Sequence, residues 1–111
     1  MLKEYQDKIT DIVQQNNIVL FMKGDKNQPM CGFSSHAVNL LNHLSQKLNT
    51  SYVDVDVLAD NDLKEQLKLF SQWPTIPQLY IGQKFIGGLD IMMEMHKSAE
   101  LEKAIQALLN N

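Results

Sequence analysis

Apolar residues at Leu2, Tyr5, Ile9, Ile12 and Val13 recur every three or four positions, which predicts an amphipathic helix ending near Asn16-Asn17. The next run, Ile18-Val19-Leu20-Phe21-Met22, is apolar without a break and rich in strand formers. It predicts a central strand buried on both faces, with Lys23 at its exit. A polar, turn-rich stretch from Gly24 to Pro29 leads to a second helical stripe of Phe33, Ala37, Leu40, Leu41, Leu44 and Leu48. Ser51 to Val57 then alternates, as a half-buried strand does, with Val53, Val55 and Val57 on one face and Tyr52, Asp54 and Asp56 on the other. Strand, helix and strand in this order make a right-handed parallel unit with the second helix as crossover.

Asp60, Asn61 or Asp62 can cap a helix carrying Leu63, Leu67 and Phe70 that stops before Trp73-Pro74. Thr75 to Ile81 reads as a strand headed by Pro77, a permitted place for proline. A cis bond there would leave the Ile76 backbone free to pair with a ligand. Gly82-Gln83 is a tight turn into Lys84-Phe85-Ile86, so the last two strands form an antiparallel hairpin. Gly87-Gly88-Leu89-Asp90 turns into one final helix, with Asp90 as N-cap and Ile91, Met92, Met95, Leu101, Ile105 and Leu108 on its apolar side. The expected fold is α/β in the order αβαβαββα, a four-stranded mixed sheet with helices on both faces, in a single domain over residues 1–111.

Composition narrows the function. With 44% hydrophobic and 21% charged residues the chain reads as an ordinary globular domain, and a net charge of −3 gives no general attraction to nucleic acid or an anionic membrane. The N-terminal residues carry no signal-type apolar core, and the longest apolar runs are too short to span a bilayer. A lone cysteine suits a reducing, cytoplasmic setting.

Chemistry converges on that cysteine. Cys31 lies between the polar loop and the second helix, where unpaired N–H groups and the helix dipole lower a thiol's pKa. A thiolate there is both a nucleophile and a soft metal ligand. A second cysteine at the fourth position would make a dithiol redox motif, but Ser34 stands there and cannot close a disulfide. Cys31 therefore needs a thiol or ligand from outside the chain. Lys23, at the carboxyl end of the first strand, stands ready to stabilise the thiolate or hold a ligand carboxylate, and Lys64, in the first turn of the third helix, makes sense beside a bound anion. The corner at Leu89 and Asp90 offers further backbone donors. His36 and His43 lack ligand spacing and read as solvent-facing, and His96 has no partner at ligand spacing; Met92, Met93 and Met95 read as core filling, and Asp54 and Asp56 as a solvated strand face.

Four blocks, Phe21-Met22-Lys23-Gly24, Cys31-Gly32-Phe33-Ser34, Trp73 to Ile81 and Gly87-Gly88-Leu89-Asp90-Ile91, stand together in the order found in monothiol glutaredoxins of the thioredoxin fold. The chain resembles that family along nearly its whole length. The resemblance implies a glutathione site in which Lys23 and Lys64 meet the glycine carboxylate, the Ile76 backbone before Pro77 pairs with the tripeptide, and Leu89 and Asp90 hold the γ-glutamyl end. The family often carries arginine where Lys64 stands, and an ammonium grips a carboxylate less well. Many members have a second cysteine where this chain has Leu89.

The resemblance also implies a [2Fe–2S] cluster with Cys31 as metal ligand, a homodimer bridged by the cluster, delivery to apo iron–sulfur acceptor proteins, and pairing with a BolA-family protein. The alternative it carries is an enzyme, a glutathione-dependent oxidoreductase with Cys31 as catalytic nucleophile. Against that stands the Gly24 to Pro29 loop, longer than in dithiol relatives and associated with poor turnover.

Overall fold

The computed structural model describes residues 2–110; Met1 and Asn111, the two ends of the expected domain, lie outside them. Five helices and six strands follow in order: α1 (Lys3–Gln15), β1 (Ile18–Met22), β2 (Gly24–Asp25), β3 (Gln28–Pro29), α2 (Gly32–Leu48), β4 (Val53–Asp56), α3 (Asn61–Ser71), β5 (Gln78–Ile81), β6 (Lys84–Gly87), α4 (Leu89–Lys97) and α5 (Glu100–Leu109). The main sheet runs β4-β1-β5-β6. β1 is parallel to β4 and antiparallel to β5, which is antiparallel to β6. This is the four-stranded mixed sheet expected from the hydrophobic pattern, in the thioredoxin-like arrangement that the resemblance implies.

Burial explains the unbroken apolar run of β1. Ile18, Leu20 and Met22 enter a core with residues of α2, α4 and α5, while Val19 and Phe21 enter another with residues of α1 and α3. A strand covered on both faces has no polar side, because successive side chains point to opposite layers. The same alternation in β5 sends Leu79 and Ile81 one way and Tyr80 the other.

Several local expectations are corrected. The final helix is two, α4 and α5, separated at Ala99, whose φ of 65° is left-handed and cannot continue a helix. Gly88, not Asp90, occupies the N-cap of α4, and no side chain caps it. Tyr52 is buried in the α2 core although it shares a strand face with two aspartates, and Val53 is exposed. β4 is an edge strand, so its ends meet the core unevenly. Phe33, expected in the packing stripe of α2, is 66% exposed. The loop from Gly24 to Pro29 is itself a small hairpin, β2 with β3.

Candidate functional site

Lys23 leaves β1 and the chain folds through the β2–β3 hairpin before reaching Cys31, the N-cap of α2. The Cys31 sulfur accepts the Ser34 backbone N–H at 3.4 Å and lies 3.3 Å from the Ser34 hydroxyl. Ser34 is fully buried, and its hydroxyl oxygen also accepts the Lys23 backbone N–H at 3.1 Å. One small side chain thus ties the end of the central strand to the thiol.

Partial burial pushes the Cys31 thiol up, yet the Ser34 hydroxyl and N–H, the Lys23 charge and the Phe33 N–H together outweigh it and hold the thiol below its usual value. Because the folded chain keeps the thiolate better than the unfolded one, this contribution to stability is complete above the unfolded thiol's pKa and fades as pH falls through the folded one. Ser34→Ala removes the hydroxyl donor. It is expected to move the pH midpoint of Cys31 alkylation by iodoacetamide upward and slow the reaction severalfold at neutral pH; an unmoved midpoint would refute the role of the hydroxyl.

A groove of about 180 Å³ lies beside the thiol, lined by Phe33, Trp73, Thr75, Ile76, Pro77 and the residues from Gly88 to Ile91. An adjoining open hollow is lined by Cys31, Gly32, Phe33, His36, Leu89, Asp90 and Met93. Phe33, Leu89 and Asp90 belong to both. Met93 is 41% exposed here, which corrects its reading as core; Met92 is fully buried, and Met95 packs against the core in part.

The groove's walls come from two segments held close together. Ile76–Pro77 is a cis peptide, and the sheet ladder begins only after it, where Gln78 pairs with Phe21. The Gln78 side chain is fully buried and its amide nitrogen donates to the Trp73 and Thr75 carbonyls, each at 3.1 Å. Opposite, Gly88 has no side chain to keep α4 away: a Cβ there would stand 3.3 Å from the Trp73 indole nitrogen and 3.4 Å from the Pro77 carbonyl oxygen. The uncapped first turn of α4 leaves backbone N–H groups at Leu89 and Asp90 on the groove wall.

The lysines are placed differently from each other. Lys23 is near enough for its charge to lower the Cys31 thiol. Lys64 sits half-buried in the first turn of α3 and lines neither hollow. The positive end of α3 is already occupied by Asp60, whose carboxylate accepts the Asp62 and Leu63 N–H groups at 3.0 and 3.3 Å. His43 and His96 meet edge to face with ring centroids 5.9 Å apart, although their sequence positions give no hint of it.

Sequence reasoning missed three supports of the site. In the sequence Ser34 marks only the absence of a second cysteine; its position three residues after an N-cap is the available signal. Gln78 is a polar residue inside a run that must be buried, and such a residue needs a hydrogen-bond partner. Asp54 and Asp56 are no solvated face: their carboxylates accept backbone N–H groups of Lys26 and Gly24 at 2.8 and 3.0 Å.

The sequence pattern of the family described as Glutaredoxin matches residues 18–86, from β1 to β6. An uncharacterized monothiol glutaredoxin, ycf64, of Porphyra purpurea is 46% identical over 106 residues, covering 96% of this chain and 95% of its own length. The chain belongs to the monothiol glutaredoxin family. Two solved glutaredoxins place this fold in context. Reduced apo GrxS14 of poplar is 39% identical, with a TM-score of 0.80 over 96% of this chain and 94% of that one. A buckwheat glutaredoxin in complex with glutathione is 26% identical, with a TM-score of 0.81 over 95% and 90%. In this monothiol glutaredoxin, then, the cis-proline loop and the start of α4 line one groove, and the single thiol lines the hollow that adjoins it through Phe33, Leu89 and Asp90.

Proposed function

We propose that the chain carries a [2Fe–2S] cluster between two of its copies, with glutathione as co-ligand, and passes it to acceptor apo-proteins. The observation that carries this reading is the shortage of ligands. Cys31 is the only thiol, and among the described residues no three His, Cys, Asp or Glu side chains gather closely enough to hold a metal ion. Such a cluster ordinarily takes four soft ligands. Two Cys31 thiolates and two glutathione thiols complete that set, and a cargo held partly by a small molecule dissociates readily.

Glutathione suits the groove by its charge. Its γ-glutamyl carboxylate faces the uncapped start of α4 beside Leu89 and Asp90, its backbone pairs with Ile76 before Pro77, and its thiol points to Cys31. The glutathione complex of the buckwheat relative supports glutathione as the ligand. Among the described residues neither Lys23 nor Lys64 is engaged in an ion pair, so both ammonium groups are available to the glycine carboxylate. Lys64→Glu reverses one of those charges and is expected to weaken glutathione binding severalfold by calorimetry; unchanged affinity would take Lys64 out of the site. Acceptor apo-proteins and a BolA-family protein are the partner classes, and a reducing compartment such as the cytoplasm suits the free thiol.

The decisive experiment is anaerobic reconstitution with iron, sulfide and glutathione. A [2Fe–2S] absorbance spectrum on a species of dimer mass, absent when glutathione is omitted, is the expected result. A colourless monomer would overturn the carrier reading.

The lowered Cys31 thiol favours a second reading, thiol–disulfide exchange. The Cys31 thiolate attacks the glutathione sulfur of a protein mixed disulfide and releases the protein thiolate. A glutathione thiolate then attacks the Cys31–glutathione disulfide, giving glutathione disulfide and restoring Cys31. Turnover of a glutathionylated substrate by a preparation that forms no cluster would select it.

A further inference from the structure

The β2–β3 hairpin bridges two parts of the fold. Its outer side rests on edge strand β4 through two carboxylates. Asp56 Oδ1 accepts the N–H groups of Gly24 at 3.0 Å and Leu58 at 2.8 Å; Asp54 Oδ2 accepts the Lys26 N–H at 2.8 Å. The Lys26 ammonium adds a contact 4.0 Å from Asp54 Oδ1 and stands 5.1 Å above the Tyr52 ring. The hairpin's inner end closes on the site, where the Met30 N–H donates to the Lys23 carbonyl at 2.9 Å, one residue before Cys31.

Nothing in this bridge is loose. Gly24 is buried, so its N–H must find an acceptor, and Asp56 supplies it. Gly24 also has a φ of 83°, and a Cβ there would overlap the Gln28 carbonyl and the Met30 side chain and backbone nitrogen. The chain crosses over itself at that glycine, immediately after Lys23, whose N–H and carbonyl are bound to Ser34 and Met30. The hairpin's own turn is closed by Asp25, which accepts the Asn27 and Gln28 N–H groups.

We infer that Asp54 and Asp56 are positioning residues for the thiol: they clamp the β2–β3 hairpin to β4, and the clamped hairpin fixes Lys23 and Met30 on either side of Cys31. The inference rests on Cys31 being the working group of the proposed function. It does not need the cluster.

The test compares Asp56→Ala with Asp56→Asn on apo-protein free of iron. Both remove the charge, but the asparagine side-chain oxygen still accepts the Gly24 and Leu58 N–H groups. The readouts are the second-order rate at fixed pH of Cys31 with glutathione disulfide, which yields the Cys31–glutathione disulfide and one glutathione thiolate, and the amide NMR signals of Met30, Cys31 and Ser34. In Asp56→Ala, which removes the acceptor of both the Gly24 and Leu58 N–H groups, the rate is expected to fall about tenfold, with all three amide signals displaced. In Asp56→Asn both readouts should return close to those of the parent chain. Parent-like behaviour of Asp56→Ala would overturn the inference, and so would an Asp56→Asn variant as impaired as Asp56→Ala. If Asp56→Ala fails to fold, Asp54→Ala is judged by the same two readouts. A clamp that passes in a protein that takes up no cluster would refute the carrier reading alone.

Discussion

Cys31→Ser is expected to lose the cluster and the holo-dimer together while the apo-protein keeps its fold. No other thiol exists to replace Cys31, so two serine hydroxyls cannot hold the cargo that two thiolates hold. The fold survives because Cys31 is partly exposed and serves as the N-cap of α2, a position that serine fills well. Its thermal midpoint should therefore shift little, with a stability change within about 0.5 kcal/mol. Absorbance and size-exclusion mass after reconstitution check the first half and a thermal melt the second. A stoichiometric cluster retained by the serine variant would show that the ligands lie elsewhere.

Gln78→Leu is expected to damage both stability and the groove. The leucine keeps the volume of the side chain and removes the amide that satisfies the Trp73 and Thr75 carbonyls. Leaving a buried side chain without these two hydrogen bonds and two part-buried acceptors without a donor costs about 2 kcal/mol, which a urea melt reads directly. The loop from Trp73 to Pro77 forms one wall of the groove, so glutathione affinity should fall at least as far as in Lys64→Glu. Gln78→Glu offers a contrast, because a carboxylate cannot donate to two carbonyls. A leucine variant with parent-like stability and affinity would show that the two carbonyls are satisfied without Gln78.

The comparison of these two residues shows what a sequence makes legible. Cys31 stands out because a thiol is chemically unlike every other side chain in the chain, and because a polar loop before it and a helical stripe after it fix its place at a helix start. Gln78 has no such mark. It lies between Pro77 and Leu79 in a strand pattern, and its partners are backbone carbonyls three and five residues earlier in a loop whose path the pattern leaves open. The two aspartates of β4 are a harder case. Their period of two is the signature of a solvated face, and only the return of the β2–β3 hairpin to that strand turns them into acceptors.

The elements themselves were legible because burial imposes a period: two for strands, about 3.6 for helices, and none where both faces are covered. That rule placed α1, β1, α2, α3 and the β5–β6 hairpin. It failed where packing is set by elements distant in sequence. Phe33 continues the period of α2 but projects from its first turn beyond the sheet, next to the thiol, and is exposed. The stripe from Ile91 to Leu108 runs through Ala99 without a break because both α4 and α5 bury apolar sides in the same core.

The sequence by itself determined the order of elements, the single thiol at the head of a helix, the serine that rules out an internal disulfide and the resemblance that the family comparisons bear out. These follow from local periodicity and from residue chemistry, which a chain carries in any conformation. Only the tertiary structure decided that Ser34 links Lys23 to Cys31, that Gln78 and Gly88 shape the groove, and that Asp54 and Asp56 hold the hairpin. The Lys23–Ser34 link, the approach of Gly88 to Trp73 and the hold of β4 on the hairpin join residues that meet only once the chain has folded, and even for the local partners of Gln78 the hydrogen-bonding capacity of a side chain does not name its partner.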